Sequence, residues 1–122
     1  PMVDIIIYSL ALAMVQLWLL PMSLSLKNMA WLLSSRDEPI DTSILQQRVD
    51  RAGANLQVGL VPFLALCLLS MQIDVDISAT AIYWLVLRII YVPLYMAGTN
   101  VVRSVVWVAS TACLIYMAMQ LV

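Results

Sequence analysis

Long uncharged runs, broken by short clusters of polar and charged residues, set the rhythm of this chain. The first run covers residues 5–26 and contains Pro21. Lys27 and Trp31 follow it, a basic and an aromatic residue of the kind that anchor a helix at the headgroup level. Ser34, Ser35, Arg36, Asp37, Glu38 and Pro39 then gather charge, hydroxyls and a proline, which predicts a loop. Asp41, Thr42 and Ser43 are candidate N-caps of a second helix. Its polar beginning, from Gln46 to Arg51, passes into an uncharged run over residues 52–73. Gly59 and Pro62 interrupt that run, which a membrane helix tolerates where its neighbours satisfy the freed backbone groups. Asp74 and Asp76 mark the next turn. A third run over residues 77–96 carries Arg88, Gly98–Thr99–Asn100 makes a short turn, and a fourth run continues over residues 101–122.

Each run is close to the ~20 residues that a helix needs to cross the hydrocarbon core of a bilayer. The pattern therefore predicts an all-α integral membrane protein, a four-helix bundle in a single domain, with spans at about residues 5–33, 43–73, 77–97 and 101–122. No internal repeat or low-complexity tract is present.

Composition agrees: 64% of the 122 residues are hydrophobic, only 11% are charged, and the mean hydropathy is +0.99. A soluble domain of this length carries far more charge. The net charge of −1 and six dispersed basic residues leave no electrostatic footprint for nucleic acid. With no His, and with Cys67 and Cys113 inside apolar runs, a Cys/His metal site is excluded and a disulfide framework is not expected. Asp4 stands where a secretory signal would carry Lys or Arg, and the apolar run after it is too long for such a signal.

The distribution of Lys and Arg sets an orientation. Lys27 and Arg36 fall in the first connection, Arg48 and Arg51 just beyond it, and Arg103 just after the third connection. The second connection has only acids. The first and third connections are accordingly expected in the cytoplasm, with both termini on the non-cytoplasmic side.

Ionisable residues within spans are costly and are the first place to look for function. Arg48, Arg51, Asn55 and Pro62 form one stripe of the second helix, and Arg88, Tyr91 and Tyr95 one stripe of the third. Arg103 and Ser104 open the fourth. The topology brings these stripes to a common depth near the cytoplasmic side, where an anionic ligand would satisfy the guanidiniums through paired hydrogen bonds. Plainer readings stand beside this one. Arg48 and Arg51 also suit interfacial anchors, Tyr91 and Tyr95 belt aromatics, and Asn55 an interhelical hydrogen bond. The remaining tyrosines, the tryptophans and the eight methionines read as packing or interface residues.

At these residues the sequence resembles the MAPEG family, the membrane-associated proteins of eicosanoid and glutathione metabolism. The matching pieces are Arg48-x-x-Arg51-Ala52-x-x-Asn55 with Pro62 beyond, Arg88-x-x-Tyr91-x-x-x-Tyr95-x-x-Gly98, and Arg103-Ser104. The run from Arg88 through Trp107 looks particularly like bacterial members, which implies a bacterial inner membrane. The resemblance implies a homotrimer with glutathione sites between subunits on the cytoplasmic side. Arg48, Arg51, Asn55, Arg88, Tyr91, Tyr95 and Ser104 would bind the ligand, and Arg103 would favour the thiolate for attack on a hydrophobic small-molecule electrophile. Membrane lipids are the other implied partners.

This chain departs from the family pattern twice. Val58 stands where the family usually has a glutamate expected to hold glutathione's amino group. Trp107 stands where some relatives carry a catalytic tyrosine. The expectation is thus a glutathione-transferase-like membrane protein. The alternative is a noncatalytic relative that binds a lipid or a partner protein, as the family's five-lipoxygenase-activating member does. A small multidrug transporter would need an intramembrane carboxylate, and Glu38, the single glutamate, lies in the loop.

Overall fold

The computed structural model describes residues 2–24 and 44–122. Lys27, Trp31, the loop expected over residues 34–39 and the candidate caps Asp41, Thr42 and Ser43 lie outside the described residues. Within them are four long helices: α1 (Met2–Leu24), α2 (Ile44–Gln72), α3 (Ser78–Met96) and α4 (Val101–Leu121), each long and apolar enough to cross a membrane. No strand occurs among the described residues.

The second helix shows why the chain packs as it does. Its buried positions include Gln46, Val49, Gly53, Leu56, Leu60, Phe63, Cys67 and Ser70, alternating steps of three and four residues along one seam. This is the spacing that keeps a single helical stripe facing its neighbours. Small residues at Ala52 and Gly53 let α1 approach closely. A Cβ on Gly53 would lie 2.9 Å from Leu17 Cδ2 and 3.6 Å from the Gln16 carbonyl oxygen. On α3, Ala81, Trp84, Leu85, Arg88 and Tyr91 are buried, and Trp84 stacks on Phe63 with ring centroids 3.8 Å apart.

Pro21 does not end α1. A π turn over Val15–Leu19 precedes it, with the Leu20 N–H bonded to the Val15 carbonyl, so the wider turn takes up the bond that proline's missing N–H and ring disturb. Hydroxyls facing the apolar interior are satisfied within their own helices: Ser9 donates to Ile6 O at 2.7 Å, Ser70 to Cys67 O at 2.6 Å and Ser110 to Trp107 O at 2.7 Å.

The helices alternate in direction, which gives the bundle two chemically distinct ends. At one end Met2 and Val3 meet Asp74, Val75 and Asp76, and Thr80 donates to Gln120 Oε1 at 3.0 Å. At the other lie Arg48, the α3–α4 turn and Arg103. Among the described residues, the acids that separate α2 from α3 are thus a full span away from the arginines. The least enclosed helix is α4, which buries only Ser110 and Met117.

Candidate functional site

The site grows from the turn that follows α3. Gly98 has φ +78°, the left-handed conformation that glycine adopts without steric cost. It closes α3 with a double backbone cap: Gly98 N–H to Tyr95 O at 3.1 Å and Thr99 N–H to Leu94 O at 3.2 Å. Arg48 reaches across from α2 and donates from Nη1 to Met96 O at 3.2 Å, meeting the carbonyl end of α3 with a positive charge. This short, well-capped turn brings Arg103, on the first turn of α4, back beside the last turn of α3.

The result is a cationic, aromatic cluster. The Arg103 guanidinium lies over the Tyr95 ring, 4.6 Å from its centroid. Tyr95 meets Tyr91 edge to face at 5.6 Å, and the Arg88 guanidinium lies 4.4 Å from the Tyr91 centroid. Arg88 is 2% exposed and donates from Nη1 to Asn55 Oδ1 at 2.9 Å. The polar stripes expected from sequence therefore meet: α2 contributes Asn55, α3 contributes Arg88, Tyr91 and Tyr95, and α4 contributes Arg103 and Ser104.

Two hollows adjoin this cluster. An outer groove of about 460 Å³ is lined by Asn55, Tyr91, Tyr95, Arg103, Ser104, Trp107 and Val108. A smaller inner cavity of about 260 Å³ lies against Arg88 and shares Asn55 and Trp107 with the groove. The α2 stripe is divided among three tasks. Asn55 faces both hollows and Pro62 the inner one, while Arg48 is turned to the α3 terminus. Arg51 is exposed on the protomer surface and is absent from the lining of either hollow.

Sequence reasoning passed over Gly59, Trp84, Ser110, Thr111 and Leu114, which line the inner cavity. The signal was present on α4: residues 103, 107, 110, 111 and 114 recur at helical spacing and form one face. Ser110 and Thr111 did not stand out because isolated hydroxyls are common in membrane helices. Trp84 is a packing residue, as expected, and a cavity wall as well.

Chemically, the groove offers one guanidinium, two phenols, an amide and a hydroxyl, and none of its lining residues is acidic. It suits a ligand with carboxylates and a polarisable or anionic centre near Arg103. A family model for the MAPEG family matches residues 5–122, essentially the whole chain. No curated protein and no solved structure matches it at a significant level.

Proposed function

Starting from a chain that belongs to the MAPEG family, we propose a glutathione-transferase-like membrane protein whose outer groove holds a thiol tripeptide. The ligand would be conjugated to, or used to reduce, a hydrophobic electrophile drawn from the membrane. The observation that carries this reading is Arg103 lying 4.6 Å over Tyr95 at a groove also lined by Asn55, Tyr91 and Ser104. Arg103 is the catalytic residue in this reading: a guanidinium beside a thiol lowers its pKa and favours the nucleophilic thiolate. Tyr91, Tyr95, Asn55 and Ser104 orient the ligand through hydroxyl and amide groups. Arg88 fixes Asn55, and Arg48 holds the turn that sets Arg103.

Exposed Arg51 enters the site only if a neighbouring protomer closes the groove, so a homotrimer is part of the proposal. The Arg103 end faces the cytoplasm and both termini face away from it, in a bacterial inner membrane. The carboxylates of a tripeptide fit the donor set. Its ammonium group finds no acidic lining residue, Val58 and Trp107 standing at the two positions of departure. Those two residues favour a second reading, a noncatalytic lipid-binding or partner-binding member of the family.

Calorimetry on detergent-purified protein separates the two. Glutathione binding is expected, weakened by roughly 1.5–3 kcal/mol in Arg51→Ala if a charged hydrogen bond is lost, and improved in Val58→Glu. Arg103→Ala should reduce the ultraviolet thiolate signal of the bound ligand. Absence of binding to both the native protein and Val58→Glu would leave the noncatalytic reading.

A further inference from the structure

Arg88 brings a positive charge into the interior of the bundle at 2% exposure, and Asn55 engages only its Nη1. Nε and Nη2 have no hydrogen-bond partner among the described residues. These two nitrogens share one edge of the guanidinium with their N–H bonds side by side. They form the two-donor fork that matches the paired oxygens of a carboxylate. A buried charge with its fork unmatched is strongly unfavourable, so the geometry asks for an anion.

The surroundings of the fork narrow the choice. The cavity of about 260 Å³ beside Arg88 is walled mainly by Val58, Pro62, Trp84, Trp107 and Leu114, and none of its lining residues is acidic. An ammonium group would find no counter-charge there, and a phosphate dianion would exceed the single charge that Arg88 supplies. Apolar walls suit hydrocarbon.

We infer that the Arg88 Nε/Nη2 edge binds the carboxylate of an acyl chain bearing no ammonium group, its hydrocarbon lying against Trp84, Trp107 and Leu114. This site goes beyond the thiol reading, since it requires neither Arg103 nor Tyr95.

The cavity wall supplies its own reporter. Replacing Trp18 and Trp31 with Phe leaves Trp84 and Trp107 as the remaining indoles, both on that wall. In detergent, an ω-brominated dodecanoate should quench their fluorescence saturably, while the matching brominated alcohol should quench only in proportion to its micellar fraction. Arg88→Lys keeps the charge but removes the fork and should weaken saturable quenching about tenfold. Val58 is 77% exposed, so Val58→Glu leaves the packing intact while placing a carboxylate beside the cavity. It should abolish saturable quenching of the acid, in the same variant expected to improve glutathione binding. These opposite responses separate failure of the acyl site from failure of the thiol site. Equal quenching by acid and alcohol would overturn the inference, as would undiminished saturation in Val58→Glu, which decides the matter even if Arg88→Lys does not fold. Glutathione should leave the quenching unchanged. Competitive displacement by it would assign the fork to the tripeptide and overturn the acyl assignment.

Discussion

The Arg48 guanidinium occupies the space beside Gly98 where any larger residue would place its first side-chain carbon. A Cβ on Gly98 would lie 2.9 Å from Arg48 Nη2, 3.0 Å from Cζ and 3.1 Å from Nη1. The capping of α3 and the approach of α2 to the α3–α4 turn are therefore one arrangement, in which the glycine serves both backbone and neighbour. Gly98→Ala should destabilise the bundle by roughly 1–2 kcal/mol from the left-handed backbone alone, and by more from the clash. Adding Arg48→Ala should recover the clash but not the backbone cost. Thermal unfolding in detergent, followed by the reactivity of buried Cys67, reads both.

The Arg88–Asn55 hydrogen bond joins α3 to α2 at 2.9 Å. Asn55→Leu removes the partner of Nη1 and should cost about 1.5–3 kcal/mol, the range for hydrogen bonds to charged groups. Replacing both residues, as in Asn55→Leu with Arg88→Met, should cost less than Asn55→Leu alone, because no buried charge is left behind. The same unfolding assay tests the order of the three proteins.

Gln16 is 1% exposed beside the π turn of α1, and neither of its amide atoms is hydrogen-bonded to a described residue. Gln16→Met keeps the length of the side chain and removes the unsatisfied polar atoms. It should raise stability by roughly 1–3 kcal/mol, seen as a higher midpoint of thermal unfolding. A lower midpoint would mean that the amide is satisfied in the membrane.

At the acidic end, Asp76 accepts hydrogen bonds from the Ser78 hydroxyl and, at 2.9 Å, from the Ser78 N–H. These hold its carboxyl below the ordinary 3.8. A depressed folded-state pKa means that this stabilisation of the α3 entry is fully present above the ordinary value. It is lost as pH falls through the folded value. Hydrogen exchange at the Ser78 amide should therefore be slower at neutral pH than expected for an exposed turn, and should lose that protection in strong acid. Asp76→Asn should abolish the pH dependence.

The orientation proposed from charge has a direct test. In a background without Cys67 and Cys113, an impermeant thiol reagent added to intact cells should label Ser78→Cys and spare Ser35→Cys. The reverse pattern would invert the bundle and place the arginine cluster outside the cytoplasm.

Sequence periodicity and composition by themselves determined the helices, their membrane character and the alternation of their ends. Backbone groups cannot remain unpaired in lipid, so long apolar runs have little choice but to form spanning helices. Helical spacing likewise determined that Asn55, Arg88, Tyr91, Tyr95, Arg103 and Ser104 would approach one another, since short connections force adjacent helices to run antiparallel. Tertiary structure alone decided how the arginines divide. Arg48 and Arg51 are three residues apart on one helix and chemically alike, yet one caps α3 and the other is exposed. That outcome depends on where a carbonyl end and a glycine of another helix fall, which no local pattern encodes. The same holds for Arg88, whose spacing announced a buried cation. Only the packing of α2, α3 and α4 together left one edge of its guanidinium facing an apolar cavity, because the shape of a void belongs to all the helices that border it and to none of them singly.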